Sequence, residues 1–202
     1  RDLHGVFRRQ RQMCIRDSHW GNNSNKGFDI YSFLDKSIKE KYNNKIKFTY
    51  IGNLKQDLVL DSTTVLKPES GKKLANLLKE NHIYLTASVN EPSGNHHIEG
   101  AQCGLPILYI DSGGIPEYCE NYGLKFTENN FETILQEFII NFSKLKSNMH
   151  TYPHDSDQMC SEYENLFIKL LDSREEIVKV RKTPYRINIL DQVIYLISRK
   201  LN

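Results

Sequence analysis

The segment Asn90–Tyr118 most constrains the fold, because two strand-like apolar runs frame its helix-like centre. The first run is Ile83–Ser88 and the second is Pro106–Ile110. Between them, a turn containing Pro92 opens a helix-like segment of about nine residues, and Gly104 suits the left-handed position that follows a helix. This part of the chain therefore predicts a strand, a turn, a helix and a second strand.

The remaining chain alternates between helix-like and strand-like segments. Apolar periodicity predicts helices over Phe28–Tyr42, from an N-cap at Ser70 through Leu78, over Phe131–Leu145 and over Asp157–Leu171. Strands are predicted at Ile46–Ile51, Thr63–Leu66 and Leu124–Phe126. Such alternation indicates an α/β fold with a Rossmann-like parallel sheet flanked by helices. Residues 173–186 are charged and predict a linker, and residues 188–201 predict a terminal amphipathic helix.

Composition narrows the class of protein. Hydrophobic residues make up 39% of the 202-residue chain and charged residues 26%, as in a globular domain of ordinary size. The four cysteines form no C-x-x-C pair, which favours free thiols in a reducing cytoplasm. The net charge is +2, but residues 1–18 hold five Arg and two Asp, and the rest of the chain is nearly neutral. Nucleic acid is therefore not an expected partner.

Residues 1–18 show neither strand alternation nor helical periodicity, and they are Arg-rich beside a Lys-rich and Asn-rich remainder. The piece RQMCIRDS also resembles translated sequencing-adapter sequence. We therefore expect a non-native or disordered segment that replaces a lost N-terminal half. The alternative is a genuine basic arm.

The turn before the central helix predicts an anion site. In a parallel sheet such a turn lies at the carboxyl end of its strand, where ligands bind. The positive end of the helix dipole favours phosphate, bound by the backbone N–H groups of Gly94, Asn95, His96 and His97. Glu91 precedes these amides, and Glu99 lies one turn inside the helix. Carboxylates accept rather than donate, so we expect them to bind sugar hydroxyls beside the phosphates.

The ordered set of these motifs resembles glycosyltransferase family 4, retaining enzymes of the GT-B fold. The set comprises Glu91-Pro92-Ser93-Gly94, Glu99, Gly104-Leu105-Pro106 and Gly113-Gly114-Ile115-Pro116-Glu117. The resemblance covers Trp20 to Leu171 and implies a C-terminal GT-B half. Residues 19–172 would then be the donor-binding domain, followed by a linker and terminal helix over 173–202. It also implies that acceptor groups lie in an N-terminal domain.

The resemblance assigns roles to individual residues. Lys26 matches a lysine that neutralises the donor diphosphate, but the usual arginine position falls on Gly21, so His19 or Asn25 would have to substitute. Glu99 would accept hydrogen bonds from the ribose, and Glu91 would orient a hydroxyl of the donor hexose. The turn at Gly113 and Gly114 would let backbone approach the ligand, although glycines there also simply permit a turn.

The chain offers two weak metal-binding patterns. His96 and His97 lie near Glu99, but adjacent helical side chains diverge by about 100° and no third ligand is apparent. The Asp155-Ser156-Asp157 pattern resembles that of metal-dependent glycosyltransferases, yet it precedes a helix, where Asp is a common cap. We therefore expect neither a metal nor another cofactor.

The expected function is transfer of a hexosyl group from a nucleotide-sugar donor to a glycan or lipid-linked acceptor. The alternatives are a nucleotide-sugar epimerase of similar fold and a non-catalytic nucleotide-sugar binding module. The expected location is the cytoplasm, with the inner face of the membrane as an alternative. Docking of the terminal helix on the N-terminal domain is preferred over a peripheral membrane contact, because its basic residues are few.

Overall fold

The computed structural model describes residues 12–181, and in this part of the chain six strands form one parallel sheet. The strands are β1 (Met13–His19), β2 (Ile46–Gly52), β3 (Thr64–Leu66), β4 (Ile83–Thr86), β5 (Ile107–Ile110) and β6 (Gly123–Phe126). Their order is β3-β2-β1-β4-β5-β6. Strand order reverses between β1 and β4, and in open α/β sheets ligands bind at the carboxyl ends of the strands at such a point.

Five helices cover the two faces of the sheet, and they are α1 (Phe28–Glu40), α2 (Gly71–Lys79), α3 (Asn95–Gln102), α4 (Ile115–Cys119) and α5 (Phe131–Asn148). Two more helices, α6 (Ser156–Asp172) and α7 (Arg174–Val180), follow along the chain. Helix α3 contacts both α2 and α4, whereas α1 meets α5 through the rings of Phe33 and Phe131. Because right-handed crossovers leave β1 and β4 in opposite directions, α1 and α3 lie on opposite faces.

The core lies along the central strands. Ile15 of β1 pairs with Phe48 of β2 and with Ile83 of β4, and all three side chains are fully buried. Every residue of β4 and β5 is also buried. Parallel strands covered on both faces need such continuous apolar runs, which is why these runs were readable in the sequence.

Most predicted elements match the structure to within a few residues, and the Rossmann-like α/β fold class is confirmed. The helix predicted over Phe28–Tyr42 ends two residues earlier, at Glu40. The strands predicted at Ile46–Ile51 and Thr63–Leu66 agree with β2 and β3 to within one residue. Gly104 adopts the left-handed conformation, with φ +79°. Ser70 occupies the N-cap position of α2, but its side chain makes no capping hydrogen bond.

The N-terminal expectation differs from the structure. Residues 13–18 do not lie outside the fold, because they form most of β1, a central strand bonded to β2 and β4. Met13 and Ile15 supply apolar side chains to the core, and the polar side chains of Asp17 and Ser18 find buried partners. The periodicity of the local sequence could not reveal these hydrogen-bond partners. Residues 1–11 lie outside the described residues.

The C-terminal region also differs from its prediction. The chain divides into two compact units between Asp155 and Ser156, so α6 belongs to the second unit and not to a domain ending at residue 172. Part of the predicted linker is helical, since α7 spans Arg174–Val180. The helix predicted over 188–201 lies outside the described residues. Within residues 12–181, no helix is long and apolar enough to cross a membrane.

Candidate functional site

The amino end of α3 lies at the crevice beside the end of β4. Gly94 is the N-cap in an extended conformation, and no side chain caps this helix among the described residues. Gly100, farther along α3, lies directly on the ring of Tyr84 in β4, where an added Cβ would be only 2.3 Å from Cδ2. This close approach fixes α3 on the sheet. The amides predicted to bind an anion therefore start from a rigid position.

Lys26 and Glu91 form an ion pair in front of this helix. The Lys26 Nζ lies 2.7 Å from Glu91 Oε2, and their side chains are 16% and 22% exposed. Lys26 ends a 3-10 turn at Ser24–Lys26, which is tied to the loop after β4 because Val89 N–H donates to Asn25 O at 2.7 Å. The structure thus brings the two predicted catalytic residues into direct contact.

Gly27 explains why the Lys26 turn lies so close to β4. Its φ is +74°, and an added Cβ would lie 2.2 Å from the carbonyl oxygen of Ala87. Only glycine combines this left-handed backbone with such close contact. The Lys26–Glu91 pair therefore depends on a residue type that carries no chemistry of its own.

Gly113 and Gly114 pack against the loop that carries Glu91. A Cβ on Gly113 would lie 2.4 Å from Glu91 O, and one on Gly114 would lie 2.2 Å from Pro92 O. Gly114 N–H also donates to Glu91 O at 2.8 Å. The two glycines therefore position the Glu91 backbone, in addition to the ligand approach predicted for them.

A cavity of about 330 Å³ opens beside the ion pair. Its lining includes Lys26 and three residues of α3, namely Asn95, His96 and Glu99. The other lining residues are Ser18, His19, Trp20, Gly21, Ile51, Glu69 and Leu74. Partial burial raises the pKa of Glu99 above its ordinary value. The cavity thus brings the Lys26 ammonium together with the carboxyl groups of Glu69 and Glu99, beside the first turn of α3.

The two adjacent histidines occupy different environments. His96 Nε2 lies 2.9 Å from Thr86 Oγ1, and burial, followed by the effects of His19, His97 and Lys26, lowers the pKa of His96 well below its ordinary value. His97 is fully buried against Tyr118, and neither ring nitrogen has a hydrogen-bond partner among the described residues. Burial lowers its pKa to about 4. Both rings are therefore neutral at pH 7, and His97 can serve the site only through its backbone amide.

A second, buried polar cluster borders the cavity at His19, and it was not predicted from the sequence. His19 Nε2 lies 3.0 Å from Asp17 Oδ2, and Tyr31 donates to the same carboxylate. Ser88 Oγ lies 3.3 Å from His19 Nε2, and the rings of His19 and His96 are 4.2 Å apart. Asp17 and His19 are two residues apart and so face the same side of a strand. That spacing was the available signal, but β1 itself was not predicted.

Neither metal-binding pattern of the sequence is joined by further ligands in the described part of the chain. No group of three or more His, Cys, Asp or Glu residues among residues 12–181 is arranged to hold an ion. Asp155 and Asp157 lie at the start of α6, remote in sequence from the cavity lining. The adjacent histidines are directed to Thr86 and Tyr118 instead.

Comparison with known proteins decides the family. The family model described as glycosyl transferases group 1 matches residues 23–150, more than half of the chain. The chain belongs to this family. The match includes Lys26, Glu91, Glu99 and the glycines of the β5–α4 turn, and the resemblance to GT-B glycosyltransferases is thereby confirmed.

One curated relative is the phosphatidylinositol N-acetylglucosaminyltransferase gpi3 subunit of Schizosaccharomyces pombe. It is 25% identical over 127 residues, which cover 61% of this chain and 25% of the relative. Among solved structures, WaaG, a glycosyltransferase involved in lipopolysaccharide biosynthesis, superimposes with a TM-score of 0.61 at 15% identity, covering 76% of this chain and 47% of WaaG.

Two further solved structures share the fold. The catalytic domain of starch synthase IV from Arabidopsis thaliana, bound to ADP and acarbose, gives a TM-score of 0.60 at 13% identity, over 82% of this chain and 41% of that one. The pneumococcal O-GlcNAc transferase GtfA, in complex with UDP and GlcNAc, gives 0.55 at 15% identity, over 80% and 37%. This chain therefore spans less than half the length of each of these family relatives and fold neighbours.

Proposed function

We propose that this chain is the donor-binding half of a retaining glycosyltransferase that moves a hexosyl group from a nucleotide-sugar to a sugar or glycan acceptor. The observation that carries the proposal is the Lys26–Glu91 pair at the amino end of α3, in the crevice between β1 and β4. Family membership supports the reaction class, and the UDP and ADP complexes of two fold neighbours are consistent with a nucleotide donor.

The chemistry requires departure of a nucleoside diphosphate while positive charge builds on the anomeric carbon. Electrostatic donors that are already in place lower such a barrier most effectively. In this chain those donors are the Lys26 ammonium and the amides at the start of α3. The neutral His96 adds a polar side chain beside them.

Glu91 has two roles in this proposal. An ammonium carries three N–H donors, so its contact with Glu91 leaves others for a phosphate oxygen. The same carboxylate, still partly exposed at 22%, can accept a hydrogen bond from the donor hexose. The pair thus places the phosphate-binding cation next to the hexose-binding anion, where the bond between hexose and phosphate must break.

Glu99 is assigned to the ribose. It lies about one turn inside α3 and lines the cavity, where its carboxylate can accept both ribose hydroxyls. We assign the acceptor groups to an N-terminal domain and therefore expect the isolated chain to bind donor without catalysing transfer. We further propose that transfer needs no metal and takes place in the cytoplasm. The acceptor would be a glycan or a lipid-linked sugar. Undiminished turnover of the full-length protein in EDTA would support the metal-independent part.

Donor binding tests the proposal directly. Glu99→Ala should weaken UDP binding to the 202-residue chain by about 1.5–3 kcal/mol, because hydrogen bonds to a charged acceptor are lost. Isothermal titration calorimetry of the wild type, Glu99→Ala and Glu137→Ala provides the measurement. Glu137 is an exposed glutamate on α5 and should leave affinity unchanged.

Three results would count against the proposal in different ways. Equal affinity of wild type and Glu99→Ala would remove the ribose assignment. Failure to bind UDP, ADP and GDP would remove the nucleotide-sugar assignment altogether. A full-length protein that interconverts nucleotide-sugars without an acceptor would be an epimerase, and one that only binds them would be a binding module. Retention is checked from the anomeric configuration of the product by NMR.

A further inference from the structure

The ring of His96 lies over the amino end of α3. A Cβ built on the N-cap residue Gly94 would be 2.7 Å from His96 Nδ1 and 2.5 Å from His96 Cε1, so this edge of the imidazole lies against the cap. The same ring lines the cavity that contains Lys26. The Nδ1 edge of His96 is therefore next to the backbone amides that we assign to the diphosphate.

Neighbouring rings fix the orientation of this imidazole. The ring centroid of His19 is 4.2 Å from that of His96, and the ring centroid of His97 is 5.0 Å away on an almost perpendicular plane. His19 is itself buried, with its Nε2 atom 3.0 Å from the Asp17 carboxylate. Because side chains in such close packing cannot turn freely, the fold sets which edge of His96 is presented to the cavity.

The other ring nitrogen of His96 contacts a buried hydroxyl. His96 Nε2 lies 2.9 Å from Oγ1 of Thr86, the last residue of β4, and Thr86 is fully buried. Among the described residues, this hydroxyl has no other hydrogen-bond partner. A buried donor without an acceptor is unfavourable, so the Thr86 hydroxyl donates its hydrogen to His96 Nε2.

This hydrogen bond determines where the imidazole carries its proton. A neutral imidazole has one N–H group and one acceptor nitrogen, so a ring that accepts at Nε2 is protonated at Nδ1. Burial, followed by the effects of His19, His97 and Lys26, lowers the pKa of His96 and keeps the ring neutral. No described residue accepts a hydrogen bond from Nδ1. The Nδ1–H group is therefore an available donor at the amino end of α3.

We propose that Thr86 is a positioning residue whose hydroxyl fixes His96 as the Nδ1–H tautomer, and that this N–H donates a hydrogen bond to a phosphate oxygen of the donor. The inference rests on the proposed function and adds a neutral donor to Lys26 and the α3 amides. Without the Thr86 hydroxyl, the ring is free to carry its proton on Nε2. Nδ1 would then present a lone pair to the phosphate, which repels it.

The tautomer can be measured without any substitution. NMR of the imidazole nitrogens in the 202-residue chain near pH 7 should show His96 protonated at Nδ1 and not at Nε2. The loss of signals in His96→Phe assigns them. Thr86→Val, which replaces the hydroxyl by a methyl group, should shift the proton towards Nε2, whereas Thr86→Ser should keep the wild-type tautomer. A wild-type ring protonated at Nε2, or an unchanged tautomer in Thr86→Val, overturns the inference.

Calorimetric titration with pyrophosphate and with UDP tests the contribution to binding. Thr86→Val should raise both Kd values about tenfold, as for the loss of a hydrogen bond to a charged group, and Thr86→Ser should stay within about threefold. His96→Phe should cause a similar loss, and adding Thr86→Val to it should cause no further loss, because Thr86 acts through His96. Thr49→Val, at a buried strand threonine outside the cavity lining, should change neither Kd.

The double variant separates positioning from an independent effect on binding. Additive losses in Thr86→Val and His96→Phe would mean that Thr86 does not act through His96. An unchanged Kd for pyrophosphate in Thr86→Val would mean that the Nδ1–H group does not reach the phosphate. Either result overturns this inference and leaves the proposed function standing. Failure of the wild type to bind pyrophosphate, UDP, ADP and GDP overturns both.

Discussion

Two side-chain pairs, Asp17 with His19 and Lys26 with Glu91, lie at the same crevice and differ in their access to water. Asp17 and His19 are 0% and 2% exposed, and the Asp17 carboxylate is also bonded by Tyr31 and by the Ser18 amide. Lys26 and Glu91 are 16% and 22% exposed. A buried carboxylate with its acceptor sites filled stabilises the fold, whereas a partly exposed pair keeps hydrogen-bonding capacity for a ligand. The same type of contact therefore serves structure in one place and binding in the other.

Breaking the buried pair should have the largest effect. Asp17→Ala removes the acceptor shared by Tyr31 and His19 and should lower the free energy of unfolding by about 3–5 kcal/mol, as for other buried pairs that lose one partner. Urea denaturation of the 202-residue chain provides the measurement. Asp17→Asn keeps an acceptor oxygen for Tyr31 and should cost less. If both variants are as stable as the wild type, the cluster does not stabilise the fold.

Breaking the cavity pair should instead reduce catalysis. The leaving diphosphate gains charge as the glycosidic bond breaks, so Lys26 should stabilise the transition state more than the bound donor. We expect Lys26→Ala in the full-length enzyme to lower turnover by about two to three orders of magnitude, with a smaller loss of donor affinity. Lys55→Ala, at an exposed lysine, is the control. Near-normal turnover would transfer the phosphate role to His19, His96 or the backbone amides.

These two regions also differ in how far the sequence predicted them. The β4–α3–β5 unit was predicted closely, because the apolar runs before and after it are fully buried strands and Gly104 ends the helix in a left-handed conformation. Glu91, Glu99 and the α3 amides followed from their positions within this unit. Local periodicity was sufficient there, since each element has a pattern of its own.

Strand β1 was not predictable in the same way. Arg16, Asp17 and Ser18 are polar residues in a central strand. Besides their local contacts, Asp17 and Ser18 are hydrogen-bonded to Tyr31 and Tyr84, which lie 14 and 66 positions away. The Lys26–Glu91 contact likewise joins residues 65 positions apart, so the motif gave both residues but not their pairing. Long-range partners of polar groups depend on the folded arrangement and leave no local periodicity.

Arg16 contrasts with Asp17 in the same strand, because its buried guanidinium lacks the hydrogen-bond partners that the Asp17 carboxylate has. It is 5% exposed, its Nε and Nη1 atoms lack hydrogen-bond partners among the described residues, and burial lowers its pKa. Arg16→Met, with similar volume and no charge, should raise the free energy of unfolding by about 1–3 kcal/mol. Arg174→Met at an exposed position should be neutral. A loss of stability on Arg16→Met would show that the guanidinium is well accommodated.

Adding a cation to the cavity should give the smallest effect of these changes, and it should strengthen donor binding. Gly21 occupies the position where the family resemblance places an arginine, and a Cβ built there would lie 3.5 Å from Lys26 Cε, an ordinary contact. Gly21→Arg should therefore fit and offer the diphosphate a second cation, strengthening UDP binding about tenfold at low salt through charge-assisted hydrogen bonds.

The gain in UDP affinity from Gly21→Arg should shrink as ionic strength rises. The attraction between exposed charges decays over about 10 Å at 0.1 M salt, and over a shorter distance at higher salt. Calorimetry at two salt concentrations measures both quantities. Gly21→Leu, which adds bulk without charge, should bind UDP no more tightly than the wild type. Equal affinities of the arginine and leucine variants would show that a second cation cannot reach the diphosphate, and Lys26 with the α3 amides would then be the complete cationic site. A gain confined to the arginine variant would instead show that the Lys26–Glu91 pair alone leaves the diphosphate incompletely neutralised.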